Sequence, residues 1–438
     1  MTRSIPELYR EHLQTLQQRS ERALELAGFD HLLIAAGTLR YQFLDDRPYP
    51  FAINPHFKAW LPLTEHADSW LAITPGEKPR LIYYQPDDYW HLPPSAPSGY
   101  WLEHFDVQVI TQPEQAEALL PNPARAAILG EPEAALPGVS PNNPSAVLNY
   151  LHFHRGYKTA YEVELMRQAS ARAVPAHRAA EQAFRAGGSE LEIHRAYLAA
   201  CGHSDLDLPY GSIVALNQHA AVLHYQYQQA QRPSESRSFL IDAGAQVSGY
   251  AADITRTYHG DHPLFAELVQ RVDQVQLDLV NQVRQGKDYR QIHLDAHRQL
   301  AGVLVEIGVL KTSAEAALAE GVSSTFFPHG IGHLIGLQVH DVAGLQESEQ
   351  GGSIARPDGH PFLRLTRPLA AGMAVTIEPG IYFIPTLLSK LRASGSAAMV
   401  DWQRVEQLLP FGGVRIEDDV LCTEGEPLNL TREAFASL

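Results

Sequence analysis

The chain has 438 residues, 45% of them hydrophobic and 19% charged, with a formal charge of -16. Such a makeup describes an ordinary globular protein of more than one core, and the acidic balance excludes a nucleic-acid binder or an anionic membrane surface, both of which need clustered Lys and Arg. No apolar run is long enough to span a bilayer, the charged N-terminus lacks the apolar middle of a signal peptide, and two cysteines, Cys201 and Cys422, make no disulfide framework, so the expectation is a cytoplasmic protein.

The opening stretch MTRSIPELYREHLQTLQQRSERALELAG predicts an amphipathic helix. Short β-like runs follow, HLLIAAG, PRLIYYQP and RAAILGE, parted by Pro-rich turns. Four of the five tryptophans lie in this region: Trp60, Trp70, Trp90 and Trp101. The segment LPNPARAAILGEPEAALPGVSPNNPSAV reads as the approach to a boundary, and LNYLHFHRGYKTAYEVELMRQASARA then turns helical. Residues 1–155 are therefore expected to form a smaller α/β domain and 156–438 a second, α+β domain. In the second domain Pro175 should kink or interrupt a helix, and Ser189 with Glu192 fits a capping box. Long helices are expected from Pro263 to Gln285 and from Tyr289 to Ile307. Strand-like runs surround them: GSIVALN, SFLIDAGA, YAADITRTY, AVTIEPGIYF and GVRIEDDVLC.

Four carboxylates stand out because acidic residues are depleted in strands. Asp242 follows SFLI, Asp253 follows YAA, Glu378 follows AVTI and Glu417 follows GVRI. Each abuts an apolar β-branched run, where a lone buried charge is costly unless it is paired or binds a metal. If SFLIDAGA and YAADITRT form a hairpin turning near Val247 and Ser248, Asp242 faces Asp253 with Cβ atoms about 5 Å apart. A turn at Ser248 and Gly249 instead displaces the pair by one step and keeps the face. Two such carboxylates repel unless a cation or proton lies between them. Along Val414–Asp419, strand alternation places Arg415, Glu417 and Asp419 on one face and Asp418 on the other, so Arg415 is placed to orient a carboxylate.

The stretch HGIGHLIGLQVHD carries His329, His333 and His340 on a Gly-rich backbone that disfavours a helix. Four carboxylates balance two divalent cations, and one neutral imidazole completes a five-residue set. Oxygen-rich ligation of this kind suits Mn²⁺ or a similar ion. Paired ions about 3.5–4 Å apart would hold a bridging water and acidify it to hydroxide near neutral pH.

In their order, DAGA…YAADITRT, HGIGHLIGLQVHD, TIEPGIY and GVRIED resemble the pita-bread (creatinase/aminopeptidase-like) metallopeptidases. FLDDRPYPFAINPHFKAW, STFFPHGIGH and QLLPFGGVRIED resemble, within them, the bacterial Xaa-Pro dipeptidase (prolidase) group, which includes organophosphorus acid anhydrolases. The resemblance implies a C-terminal pita-bread domain behind an N-terminal α/β domain of mixed sheet that contributes to dimerisation and to the substrate site. It further implies a homodimer, and two divalent ions, manganese being the expectation, held by Asp242, Asp253, His333, Glu378 and Glu417. The implied reaction is hydrolysis of Xaa-Pro dipeptides by the metal-bridging hydroxide, with Glu378 moving the proton and His340 and His224 hydrogen-bonding the tetrahedral species. His329 and Arg415 are implied at the substrate, Arg364 on its free carboxylate, and Tyr210, Leu223, Tyr289, Val339 and Leu363 along its pockets. Asp46 is implied to reach a neighbouring subunit's site. Three rival expectations are aminopeptidase P-type cleavage of longer peptides, a side activity on organophosphorus esters, and a metal-free binding protein on the same fold.

Overall fold

The computed structural model describes residues 3–438, so Met1 and Thr2 of the expected first helix lie outside the described residues. The chain divides into two compact units, one reaching to Leu165 and including Glu347–Gly352, the other made of Met166–Gln346 and Ser353–Leu438.

In the first unit the predicted N-terminal helix runs Ile5–Ala27. Glu7 closes a capping box by accepting from the Ser4 N–H at 2.8 Å, and Gly28 ends the helix in the left-handed region at φ 74°. Its buried residues include Tyr9, Leu13 and Leu24, and it packs against the helix Ser145–Arg155. The sheet of this unit contains β1 (His31–Ala35), β2 (Trp70–Ile73), β3 (Arg80–Tyr84), β4 (Asp106–Ile110) and β5 (Ala126–Leu129), in the order β4-β3-β2-β1-β5. The β1–β5 and β3–β4 pairs are parallel and the others antiparallel, the mixed sheet expected. Leu33, Trp70, Ile82 and Ile128 form its core. Two strands of this sheet were not foreseen: β2, WLAI, which is fully buried, and β4, DVQVI, where Val107 and Val109 alternate with polar residues in only partly buried surroundings.

The helix Ala160–Arg185, in the second unit from Met166 onward, continues through Pro175, which corrects the expected interruption. The flanking Ala173, Val174 and Ala176 are fully buried, and packing of this kind outweighs one lost backbone hydrogen bond. The Ser189–Glu192 capping box is present at the helix Glu190–Cys201. The two long helices span Pro263–Val280 and Tyr289–Glu306. The strands are β6 (Ile213–Leu216), β7 (Ser238–Asp242), β8 (Gln246–Val247), β9 (Tyr250–Ala251), β10 (Thr255–His259), β11 (Ala374–Ile377), β12 (Gly380–Tyr382), β13 (Gly413–Arg415), β14 (Asp418–Leu421) and β15 (Leu428–Asn429). β7 pairs antiparallel with both β6 and β10, β14 with both β11 and β15, and β12 with β13. Isolated bridges tie Thr255 of β10 to Glu417, at the break between β13 and β14, and Leu334 to Val375 of β11. A core including Phe184, Ile193, Tyr197, Phe239 and Ile241 backs β7.

The hairpin register differs from the first expectation. The turn falls at Ser248 and Gly249, whose φ values of 51° and 84° are both positive, as a two-residue primed turn requires. Asp242 therefore faces Thr255, not Asp253. Asp253 lies two residues from Thr255, so it keeps the same face of the ribbon. Opposite it, Gly244 is needed for close approach: a Cβ there would lie 2.1 Å from the Ala252 carbonyl oxygen.

The last acidic run is split between two sheets. Glu417 sits at the break between β13 and β14, while Asp418 turns the other way. There it accepts from Arg256 Nη2 at 2.7 Å, Arg432 Nε at 2.8 Å and Asn429 Nδ2 at 2.8 Å, fully buried. This anchor holds the segment so that Glu417 faces forward. Asp418→Ala would strand a buried guanidinium and should lower stability by about 3–5 kcal/mol. A urea unfolding midpoint equal to wild type would contradict the anchoring role.

Candidate metal centre

The four acidic residues singled out above stand at strand ends or breaks, where the backbone can aim a side chain out of the sheet. Asp242 closes β7, Asp253 precedes β10, Glu378 follows β11 and Glu417 precedes β14. They line one wall of a cavity of about 720 Å³, together with His329 and His333. Ligand atoms of Asp253, His333 and Glu417 all lie within 4.8 Å of one another.

The loop carrying the histidines is irregular, as its glycines predict. Gly332 adopts φ 154°, and a Cβ there would come within 2.2 Å of the Thr376 carbonyl oxygen. His333 follows it, its N–H donating to Thr376 Oγ1 at 3.1 Å. The Leu334 carbonyl accepts from His333 Nδ1 at 3.0 Å. That bond makes Nδ1 the donor and turns Nε2 toward Asp253 Oδ2 at 3.5 Å and Glu378 Oε1 at 3.7 Å. Burial opposes a charge on this ring, but the two acids outweigh it and raise the His333 pKa, so the place where Nε2 meets them suits a proton or a cation in its stead.

Around this cluster runs a supporting chain of hydrogen bonds. Arg415 donates from Nη2 to Asp242 Oδ2 at 2.6 Å, from Nε to Thr255 Oγ1 at 3.2 Å and from Nη1 to the Tyr382 hydroxyl at 2.8 Å. Thr255 donates in turn to Glu417 Oε2 at 2.6 Å. The Tyr382 hydroxyl donates to His329 Nε2 at 2.8 Å, because His329 Nδ1 is engaged with the Gly330 carbonyl at 2.8 Å. Tyr210 donates to Asp253 Oδ1 at 2.7 Å, and the Asp253 N–H donates to Asp419 Oδ2 at 3.0 Å. Thr255, Tyr382 and the role of Asp419 were missed by sequence reading. Only Asp419 had a signal, its place on the Arg415 and Glu417 face.

Charge is unbalanced here. Burial pushes the Glu378 carboxyl up to about 7, against the pull of His333 and Arg415. Burial and the neighbouring carboxylates carry Glu417 well above its usual range, and burial raises Asp242. Burial also opposes ionisation of Asp253, but the adjacent His333 outweighs it and holds that carboxyl low. Asp242 Oδ1 is buried without a hydrogen-bond partner. An orphaned carboxylate oxygen, an imidazole nitrogen aimed at two acids and a clustered oxygen-rich donor set all fit divalent cations.

The wider cavity also gathers Tyr210, Leu223, His224, Val339, His340, Arg364 and Arg415. His340 meets the His333 ring edge-on at 4.4 Å, and burial with His333 beside it lowers its pKa to about 4. His329 is lowered to about 3, by burial and then by Arg415. Both rings are therefore neutral at ordinary pH. Two expected pocket residues are not part of the lining. Tyr289 is fully buried and donates its hydroxyl to the Thr376 carbonyl at 2.7 Å, bracing the loop from behind. Leu363 is buried, 1% exposed, with its backbone against Gly330. Arg356 and Phe362 line the cavity and were not foreseen. Asp46 is exposed in the first unit.

Residues 7–153 match the N-terminal domain of Xaa-Pro dipeptidase, and residues 164–424 match metallopeptidase family M24. A Xaa-Pro dipeptidase of Stenotrophomonas maltophilia is 57% identical over 432 residues, covering 98% of both chains. One from Xanthomonas axonopodis is 57% identical over 436 residues, covering 99% of both. Among solved structures, zinc-substituted aminopeptidase P of E. coli superposes with a TM-score of 0.70 at 21% identity, over 95% of each chain. An aminopeptidase of Pseudomonas aeruginosa does so with 0.70 at 21%, over 97% of this chain and 95% of that one. At such identity these structures speak for the fold, the pita-bread architecture.

Two outcomes are expected at this centre. Below pH 7 a proton on Glu378 competes with the cation, so divalent-metal affinity should fall as pH drops through about 7, with protons released on binding. Calorimetry of chelated protein in buffers of different ionisation enthalpy measures that release. Tyr382→Phe should keep the metal content but lower kcat roughly 10-fold, by freeing His329 and Arg415 from their shared hydroxyl.

Proposed function

The chain belongs to the Xaa-Pro dipeptidases of metallopeptidase family M24, and we propose that it hydrolyses dipeptides ending in proline at the carboxylate centre of its second unit. The observation that carries this reading is the convergence of Asp242, Asp253, His333, Glu378 and Glu417 on one cavity wall. Held by these five residues, two divalent cations, manganese by our reading, would polarise the scissile carbonyl and make a water acidic enough to attack it near neutral pH.

The remaining roles belong to side chains. Glu378, on the cavity lining, is suited to accept a proton from the attacking water and deliver it to the departing proline nitrogen. That nitrogen bears no hydrogen in the intact peptide, so the site need supply no acceptor for it. His224 and His340 share the cavity lining, which supports their donating to the developing oxyanion. Arg364 lies exposed on the lining and, among the described residues, no ion pair holds its guanidinium. It is free to grip the carboxylate one residue past the cut, which favours dipeptides over longer chains.

Other features support the wider reading. A functional boundary near residue 155 agrees with family matches that end at 153 and resume at 164. Phe43 and Leu44 are 89% and 91% exposed beside Asp46, which supports a homodimer in which this segment meets a second copy. Both cysteines are free and buried, in keeping with a cytoplasmic enzyme. No helix among the described residues is long and apolar enough to cross a membrane.

Chelated protein should lose Ala-Pro hydrolysis and regain it with Mn²⁺, while Ala-Pro-Ala stays a poor substrate. Faster cleavage of the tripeptide would instead assign aminopeptidase P-type activity. Arg364→Ala should raise KM for Ala-Pro at least roughly 10-fold with a smaller change in kcat, the loss expected for one charge-assisted contact. An equal loss on an ester lacking the carboxylate would refute that role.

A further inference from the structure

A second cluster of metal-ligating side chains lies outside the cavity wall. His293 and His297 stand one turn apart on the helix Tyr289–Glu306, so their rings leave the same face. His360 reaches them from the segment that continues into Phe362 and Arg364. One nitrogen of each of the three lies within 4.8 Å of the others. The ring centroids are 4.5 to 4.7 Å apart.

The hydrogen bonding of these rings is incomplete in an informative way. His293 Nε2 lies 2.9 Å from His360 Nδ1. His297 Nδ1 is engaged by Ser323 Oγ at 3.0 Å, which turns Nε2 toward the other rings. His297 Nε2 and His293 Nδ1 are buried with no hydrogen-bond partner, although both residues are only 1% exposed. A single imidazole–imidazole bond therefore does not satisfy the cluster. A hydroxyl fixing one ring nitrogen while the other faces its neighbours is the arrangement of a metal-bound histidine.

We propose that His293, His297 and His360 form a further site for one divalent cation of the zinc type, separate from the carboxylate centre. The donor set is all imidazole, with no carboxylate among the described residues of the cluster, and so favours Zn²⁺, Co²⁺ or Ni²⁺ where the oxygen-rich centre favours Mn²⁺. The His293 and His297 rings are both buried, and burial favours the neutral imidazole that binds a metal. His360 is partly exposed, which leaves a path for a water as fourth ligand. Because His360 is two residues from Phe362 and four from Arg364, an ion here ties that wall of the cavity to the helix. Phe327 links the cluster to the catalytic loop, with its ring 4.8 Å from both His297 and His329.

The test uses the full chain and Zn²⁺ as the probe. In an Asp253→Ala, Glu417→Ala background, which dismantles the carboxylate centre, calorimetry of chelated protein should find one Zn²⁺ per chain, and X-ray absorption should report imidazole ligation. His360→Ala and His297→Ala should each weaken that binding beyond the roughly 100-fold that loss of a mere supporting contact causes. No zinc uptake in the background protein, or unchanged affinity in both histidine variants, overturns the site. Should the background fail to fold, zinc-loaded and desalted wild type should hold one ion per chain more than His360→Ala, and equal contents would overturn the site as well.

Discussion

Repulsion among Asp242, Asp253, Glu378 and Glu417 is the constraint on which the rest of the second unit turns. Buried acids this close cannot all ionise without compensating charge. Arg415 supplies one positive charge, and it is shared through Thr255 and Tyr382 rather than spent on one partner. The remainder is left for divalent cations. The strain is tolerated because each carboxylate is held by backbone that is itself well paired, at the end of a strand whose partners lie in a closed core. Preorganisation of this kind is what lets a metal centre bind without rearranging the protein.

The irregular loop between Phe327 and Asp341 is the second half of the arrangement. Here His333 turns Nε2 toward two acids while its Nδ1 donates to the carbonyl of the next residue, Leu334. Gly332 permits the approach to Thr376 that sets the ring, and Tyr289 closes the space behind it. Function is placed on a loop, but the loop is braced on nearly all sides.

Two kinds of metal chemistry then coexist in one unit. The carboxylate centre is built from hard oxygen donors and serves hydrolysis. The triple-histidine cluster is built from nitrogen donors and touches the cavity only through its wall. Membership of the Xaa-Pro dipeptidases accounts for the first. The likeness to aminopeptidase P extends to the chain's architecture. On our proposal, which peptides are cut depends on lining groups such as Arg364, and these lie outside what the shared sheet framework dictates.

Much of this was legible in the order of residues. Acids beside apolar β-branched runs, histidines on a Gly-rich stretch, an Arg two residues from Glu417 and a capping box at Ser189 are local patterns, and local chemistry makes them readable. Tertiary structure decided the rest, because it depends on partners distant in the chain. It set the turn at Ser248 and Gly249, and so put Asp242 opposite Thr255. It carried a helix through Pro175, drew Tyr289 and Leu363 behind the cavity, and made Tyr382 a bridge between His329 and Arg415. It also brought His360 to His293 and His297, whose spacing alone is commonplace on a helix. Residue type determines which atoms can bind a cation or a proton. Only long-range packing determines which of those atoms meet, and how deeply they are removed from water.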